Sequence, residues 1–555
     1  MKIGYNLYVF LIIFSLKGQS ESKWVTPIEI PIQLSGTFGE LRNNHFHAGI
    51  DIRTQGRQGL KVKSVQKGHI SRIRVSLSGY GKTLYVEHLD GNTSVYAHLK
   101  RFSPKIEKYV KEYQYQKESY TIQLFPKIDE LKVDIGEVIG YSGNTGGSSG
   151  PHLHFEMRKT KGQLPINAMQ FPINIEDTKR PKVQNFYLYS GIGSFSNRKE
   201  YALIKKNDSV YSTAGITASG KINVGLRLYD QQNQSYNKNG IYSVSVRLNG
   251  VEYFSYQMDQ ISFDDSKFIN LMIDYKELKN KKQRIQRFIA HPSQKFSFLK
   301  ESNQNGEMKI DSGKSYQLVI ELKDYKKNTS YVEAYLTGAD PIFSKEMKTD
   351  ILIKPEENYL FEFENNSVFF PKNSFFEKVN LKVENHKDTL LVGQDIYPLQ
   401  NAFTIKYKVP KGDSLMISQT FISQLNKKGR PVFFSAFKKD GYWEGKSKLL
   451  GVFVLSRDSI SPEIKSVNFK NKQWISNNKF LRLKISDDYS GVKKIHGEIN
   501  GKWILLEYEP KTNSLTYDLN DIEFEEALNK LKIEAEDNAG NKALFERDFY
   551  RKLNK

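Results

Sequence analysis

The sequence predicts a mainly β protein: an antiparallel β domain with a helical insertion, followed by β-sandwich domains. Three observations lead there. Short runs of alternating apolar and polar residues, such as TSVYAHL and RLKIS, recur along the chain and are punctuated by glycine and Asn-Gly turns. An internal repeat of such runs occupies the second half. Seven of the ten histidines (His45, His47, His69, His88, His98, His152, His154) crowd into residues 45–154, which marks a site in the first half. The 555 residues allow about three or four domains. The net charge of +21 suits an anionic partner such as nucleic acid, a membrane or a wall polymer. The basic residues are scattered, and no zinc-finger, basic-zipper or RNA-binding signature occurs, so no nucleic acid is expected. Without cysteine there are neither disulfides nor a lipidated terminus, and any metal must be held by His, Asp or Glu.

The first twenty residues read as a signal peptide, with Lys2, an apolar run from about Tyr8 to Leu16, and small or polar residues near the expected cleavage point at Gln19 or Ser20. The run is short of the roughly 20 residues a bilayer span needs. A retained anchor is the alternative, and no transmembrane segment is expected after cleavage. An exported protein of the periplasm, envelope or exterior is expected.

HFHAGIDI, residues 45–52, follows. His47 and Asp51 stand four apart, but Gly49 and the β-branched Ile50 and Ile52 favour extended chain over helix. A straight strand would separate them by about 13 Å, too far for both to reach one ion at about 2 Å. The chain must therefore bend at Gly49 if the two share a metal; a structural His-Asp pair is the other reading. In TSVYAHLKRF, residues 93–102, Val95, Ala97 and Leu99 alternate with Ser94, Tyr96 and His98, so His98 is expected beside Tyr96 and opposite the apolar residues. PHLHFE, residues 151–156, begins at a proline suited to a strand start. His152 and His154 then project on one face about 7 Å apart. Together these segments offer three ligands for an open metal site (His47, Asp51 and one histidine of the pair) plus two spare imidazoles. The glycine-rich loop Ser142–Gly150 is expected to let backbone approach a bound chain; it lacks the G-K-[ST] of a phosphate cradle.

In the order HAGID, YAHL, YSGNTGGSSGPHLHFE, these motifs resemble the lysostaphin-like, LytM-type zinc metallopeptidases that cleave peptidoglycan peptides, over roughly residues 35–160. The resemblance implies one Zn²⁺ held by His47, Asp51 and His154, with His98 and His152 as catalytic imidazoles. It leaves open which of the two moves which proton. A tyrosine used by some relatives near the oxyanion has no evident equivalent. His45, His69 and His88 match no ligand position.

Between His98 and KVDIGEVIGYSG lies an insertion, about residues 102–131. Ser103-Pro104 starts a helix, with Ile106, Tyr109 and Val110 at helical spacing, and YTIQLF at 120–125 reads as a strand. The insertion is expected to wall one end of the groove. Beyond about residue 175, GLRLYD leads to GIYSVSVRLNG and RLKISD leads to GVKKIHGEING. Gly240 and Gly491 each precede an Asn-Gly by nine residues, and both units begin at Pro-x-β-branched and end in D-x-x-x-N (Asp324 to Asn328, Asp537 to Asn541). The DNAGNKA ending resembles bacterial immunoglobulin-like modules. Expected domains are 21–175 (peptidase), 176–341 (β-sandwich), 342–457 (β) and 458–555 (immunoglobulin-like β-sandwich). The expected function is zinc-dependent hydrolysis of peptide bonds in peptidoglycan stems or cross-bridges during wall remodelling, with peptidoglycan and envelope proteins as partners. A non-catalytic activator of wall amidases and a peptidase for a secreted protein are the rivals.

Overall fold

Along His152–Lys159, Leu153, Phe155 and Met157 enter an apolar core, so His152, His154 and Glu156 line the opposite face. The rest of the first domain is arranged around that strand. In the computed structural model, residues 24–191, 197–291, 296–300, 305–340, 351–409, 411–524 and 527–552 are described, and the expected signal peptide lies outside them. The strands are β1 (Leu34–Gly36), β2 (Ile50–Arg53), β3 (Gly68–Val75), β4 (Lys82–His88), β5 (Asn92–Leu99), β6 (Ile122–Leu124) and β7 (His152–Lys159). They run in the order β1-β2-β7-β5-β4-β3-β6, with every pairing antiparallel. A smaller sheet joins Lys61–Lys63, Val138–Tyr141 and Arg101–Phe102. Among the described residues no helix is long and apolar enough to cross a membrane.

The insertion forms as its pattern predicts. Helix α1 (Pro104–Gln116) opens with proline in its first turn and buries Ile106 and Val110 in the core of this domain. Strand β6 then extends the sheet beside β3. The helix also meets the last part of the chain. Lys111 pairs with Asp521 at 2.6 Å, Tyr115 packs edge-on against Trp503, and nearby Lys82 reaches Glu507 at 3.1 Å.

The remainder is built of paired sheets. Residues 182–338 form a five-stranded and a seven-stranded sheet, residues 359–457 two five-stranded sheets, and residues 463–550 a four-stranded and a five-stranded sheet. Asn249-Gly250 and Asn500-Gly501 all have positive φ and close antiparallel hairpins, as Asn-Gly pairs between strands do.

One arrangement was not legible in the sequence. Phe38, Leu41, Phe46 and Ala48 leave the first domain's core and pack with Val224, Phe254, Phe288 and their neighbours in the second. The segment that carries His47 is thus anchored in the adjoining β-sandwich.

Candidate metal centre

Gly49 supplies the bend that the HAGID spacing requires. A Cβ there would lie 2.3 Å from the Phe155 carbonyl oxygen, so only glycine lets this backbone press against β7. Asp51 on β2 faces His154 on β7, its paired residue in the ladder. His47 Nε2 lies 3.2 Å from Asp51 Oδ1 and 3.0 Å from His154 Nδ1, and His154 Nδ1 lies 2.9 Å from Asp51 Oδ1. Three donors at about 2.05 Å from a tetrahedral ion would stand about 3.3 Å apart. The three atoms therefore fit the corners of one metal site.

The outward nitrogens fit as well. His47 Nδ1–H donates to the Thr37 carbonyl at 2.8 Å, and His154 Nε2–H donates to Glu156 Oε1 at 2.7 Å. With its outward N–H so engaged, each ring directs its other nitrogen inward, available to a metal once deprotonated, the arrangement that orients metal-binding histidines. Glu156 is fully buried, accepts from the Tyr80 hydroxyl and pairs with Arg158 at 2.6 Å. Arg42 donates to Asp51 Oδ2 and sits beside Glu40. The sequence reading missed Glu156, Tyr80, Arg42 and Glu40. Glu156 alone carried a signal, because it continues the period of two set by His152 and His154.

His98 joins the site by a route the alternation did not predict. Tyr96 and Leu99 lie in the core, and Tyr96 receives a hydrogen bond from the Val65 amide, so the expected common face of His98 and Tyr96 is not formed. Residues 82 and 84 of β4 face 99 and 96 of β5, which leaves one extra residue in β5. That bulge, with His98 at φ +58°, swings the imidazole to the side of His154. His98 Nδ1–H donates to the Thr145 carbonyl at 2.8 Å, and His152 Nδ1–H to the Gly150 carbonyl at 2.8 Å. The two rings lie 4.8 Å apart, and His152 Nε2 is 3.4 Å from Asp51 Oδ1. Tyr80 stands edge-on to His98, though its hydroxyl is engaged by Glu156.

The glycine-rich loop approaches its own chain. Gly143 presses against Lys100 and His98 backbone, and Gly146, at φ +70°, against Gly79 and Gly81. The loop thus seats both imidazole anchors, and from outside Lys511 donates to the carbonyls of Asn144 and Ser148. His88 is buried on Ser94 and Lys67, and His45 is exposed with Nδ1 on the Asn43 carbonyl; neither belongs to the donor set.

Electrostatics follow from burial. Burial lowers His47 to about 4, and burial with the imidazoles of His154 and His152 lowers His98 to about 3. Burial opposes ionisation of Asp51, yet the charge of His47 and hydrogen bonds from His152 and His154 hold its pKa well below the carboxylate range. Burial likewise opposes charge on His154, but its bonds to Asp51 and Glu156 raise it to about 9. A metal at this point would displace that proton.

The model of peptidase family M23 matches residues 45–115 and 127–167, the gap falling in the insertion. The DD-carboxypeptidase/endopeptidase Mpg of Neisseria meningitidis serogroup B (strain ATCC BAA-335 / MC58) is 35% identical over 123 residues, 22% of each chain. Cell division protein DipM of Caulobacter vibrioides (strain NA1000 / CB15N) is 30% identical over 122 residues, 22% of this chain and 16% of DipM. The chain thus spans about a fifth of the length of these curated relatives. The catalytic domain of lysostaphin from Staphylococcus simulans aligns at 23% identity and a TM-score of 0.19, covering 25% of this chain and 91% of that one. On the family match, the donor set and the β architecture around it, this chain contains a LytM-type domain of peptidase family M23.

Proposed function

We propose that the protein is a zinc-dependent endopeptidase that hydrolyses peptide bonds of peptidoglycan stems or cross-bridges in the cell envelope. The observation that carries this reading is the convergence of His47 Nε2, Asp51 Oδ1 and His154 Nδ1 within 3.2 Å, with both outward ring nitrogens held by acceptors. Two imidazoles and one carboxylate without thiolate leave a fourth position open, the donor set of a catalytic zinc. When bound, zinc acts as a Lewis acid and lowers the pKa of water to around 7.

This chain's residues supply the rest. His152 and His98 each keep Nδ1 on a backbone carbonyl, so Nε2 is the atom at which each takes or returns a proton. Hydrolysis of a peptide requires one group to accept the water's proton and one to protonate the leaving amine, and paired imidazoles 4.8 Å apart serve both ends. Burial keeps His98 neutral at working pH, so with Nδ1–H on the Thr145 carbonyl its Nε2 is free to receive a proton, and only after that can Nε2–H donate to the developing oxyanion or the leaving amine. The peptidoglycan assignment is supported by the name of the Mpg relative, a DD-carboxypeptidase/endopeptidase.

The test combines metal content with product identity. Purified protein should carry about one zinc per chain and release peptide-cleaved fragments from sacculi, identified by mass spectrometry. His154→Ala should lose zinc, whereas His152→Ala and His98→Ala should keep it and lose activity by about 10²- to 10⁴-fold. Zinc-loaded protein that cleaves no wall peptide but stimulates an amidase would assign it instead to regulation, and cleavage of secreted proteins alone would move the substrate outside the wall.

A further inference from the structure

The internal repeat carries a feature that the peptidase reading does not use. Asp177, Asp230 and Asp324 each place one carboxylate oxygen within 4.8 Å of the others. Three carboxylates at that spacing repel one another strongly in a poorly solvated site. Asp230 and Asp324 are almost wholly buried, at 3% and 2% exposure. Two ammonium groups border the cluster. That of Lys179 is hydrogen-bonded to the Gln232 carbonyl, and that of Lys326 lines the adjoining cavity. Among the described residues neither forms an ion pair with these carboxylates.

Independent observations point to a missing partner. Asp230 Oδ1 is buried with no hydrogen bond. Asn239, the residue paired with Asp230 by reciprocal backbone bonds of 3.0 and 2.9 Å, is 3% exposed, and both atoms of its side-chain amide are unpartnered. A reciprocally bonded antiparallel pair projects its side chains on one face, so the orphaned amide stands beside the orphaned carboxylate. Buried polar groups left unsatisfied in this way are rare and call for a partner, an ordered water or an ion. A cavity of about 20 Å³ adjoins Asp230, lined also by Thr37, Asn167, Asp177, Tyr242 and Lys326, and is large enough for one ion or one water.

The last domain repeats the arrangement at equivalent positions with Asp458, Asp487 and Asp537. Asn328 Nδ2 donates to Asp324 Oδ2 at 2.7 Å and to the Asp177 carbonyl at 3.1 Å, and Asn541 Nδ2 donates to Asp537 Oδ2 at 2.8 Å and to the Asp458 carbonyl at 2.9 Å. Each triad takes its first aspartate from the segment that enters a sandwich.

We propose that Asp177, Asp230 and Asp324 form a calcium site that fastens the second domain to the peptidase. An all-oxygen set of carboxylates with amide and carbonyl oxygens nearby suits a hard cation of flexible coordination, whereas magnesium demands near-ideal octahedral geometry and retains its waters. Thr37 ties the site to the catalytic centre. Its hydroxyl accepts from the Gly240 amide at 3.0 Å, and its carbonyl holds His47 Nδ1 at 2.8 Å. Calcium at this junction therefore steadies the segment that presents the first zinc ligand.

The experiment is a calcium chloride titration of the full-length, zinc-loaded protein by calorimetry, with melting temperature followed in parallel. Calcium should bind and raise the melting temperature. Asp230→Asn keeps the shape and should weaken binding at this site by at least the about 10- to 100-fold that loss of an outer partner costs, removing one equivalent from the stoichiometry. Asn239→Ala, which removes the unpartnered amide, provides a second variant should the first fold poorly. Absence of calcium binding to the parent protein, unchanged stoichiometry in Asp230→Asn, or equal affinity for magnesium would overturn the assignment. Zinc content and peptidase activity are read separately, so failure here leaves the catalytic proposal standing and the reverse also holds.

Discussion

Replacing Phe46 by alanine tests whether the second domain holds the metal site in shape. Phe46 is 2% exposed, and its ring packs edge-on against Phe298 at 5.1 Å and Phe296 at 6.0 Å, one residue before His47. Truncating a buried phenylalanine costs about 3–5 kcal/mol, of which the two aromatic pairs account for about 0.5–1.5 kcal/mol each. At about 1.4 kcal/mol per tenfold, the docked state of segment 38–48 becomes about 10²- to 4 × 10³-fold less favoured against its undocked state. Zinc binding needs the docked state, so apparent affinity falls by the fraction of molecules that keep it. Phe102→Ala is the control, since Phe102 is as deeply buried but lies in the first domain's own core. Urea unfolding followed by tryptophan fluorescence, with zinc retention against a competing chelator, reads both effects. Phe46→Ala should lose stability and zinc together, while Phe102→Ala should lose stability with zinc affinity largely kept in molecules that remain folded. If Phe46→Ala retains zinc as the parent does despite the lost stability, the anchoring argument is wrong.

Three further outcomes are expected. Glu156→Gln should keep the fold and weaken zinc binding by about 10- to 100-fold, because Glu156 orients His154 through Nε2; unchanged zinc affinity would remove Glu156 from the site. In chelated protein, His47 and His98, lowered to about 4 and 3, stay neutral in the fold while unfolded imidazoles charge, so stability falls as pH drops below about 6.5. His154, raised to about 9, contributes fully below about 6.5 and loses that contribution as pH rises towards 9, so the urea midpoint should peak near neutrality; a flat profile from pH 4 to 9 would contradict these environments. Lys511→Ala releases the loop whose Ser148 hydroxyl lies 3.1 Å from His152 Nδ1, and should slow peptide cleavage by no more than about fivefold, the equivalent of ~1 kcal/mol for an exposed contact, with zinc content unchanged. A loss of a hundredfold would make the last domain part of the catalytic apparatus.

Features set by local geometry were legible in the chain alone. Period two put His152 and His154 on one face of a strand. The reach of side chains required a bend at Gly49 between His47 and Asp51. Ser103-Pro104 and the spacing of Ile106 and Val110 specified the inserted helix, and Asn-Gly pairs marked the hairpins of the repeated sandwiches. Each of these depends on residues within about ten positions of one another, where backbone sterics and side-chain period suffice.

The remaining features depend on register and docking between distant parts of the chain. His98 reaches the site through a one-residue bulge, which depends on the register between β5 and β4 and inverts the alternation read along β5 alone. Arg42 acts through Asp51, so its type and spacing announced nothing until that partner was in place, and Glu156 showed only as the continuation of the period of two set by His152 and His154. Phe46 reads as an ordinary core residue in the sequence, yet the core it enters belongs to a different domain. The three aspartates at positions 177, 230 and 324 are far apart along the chain, and folding alone brings their carboxylates within 4.8 Å of one another. Hydrophobic burial is non-directional, so apolar pattern shows that a segment will be covered, while the partner that covers it is set by how whole domains dock.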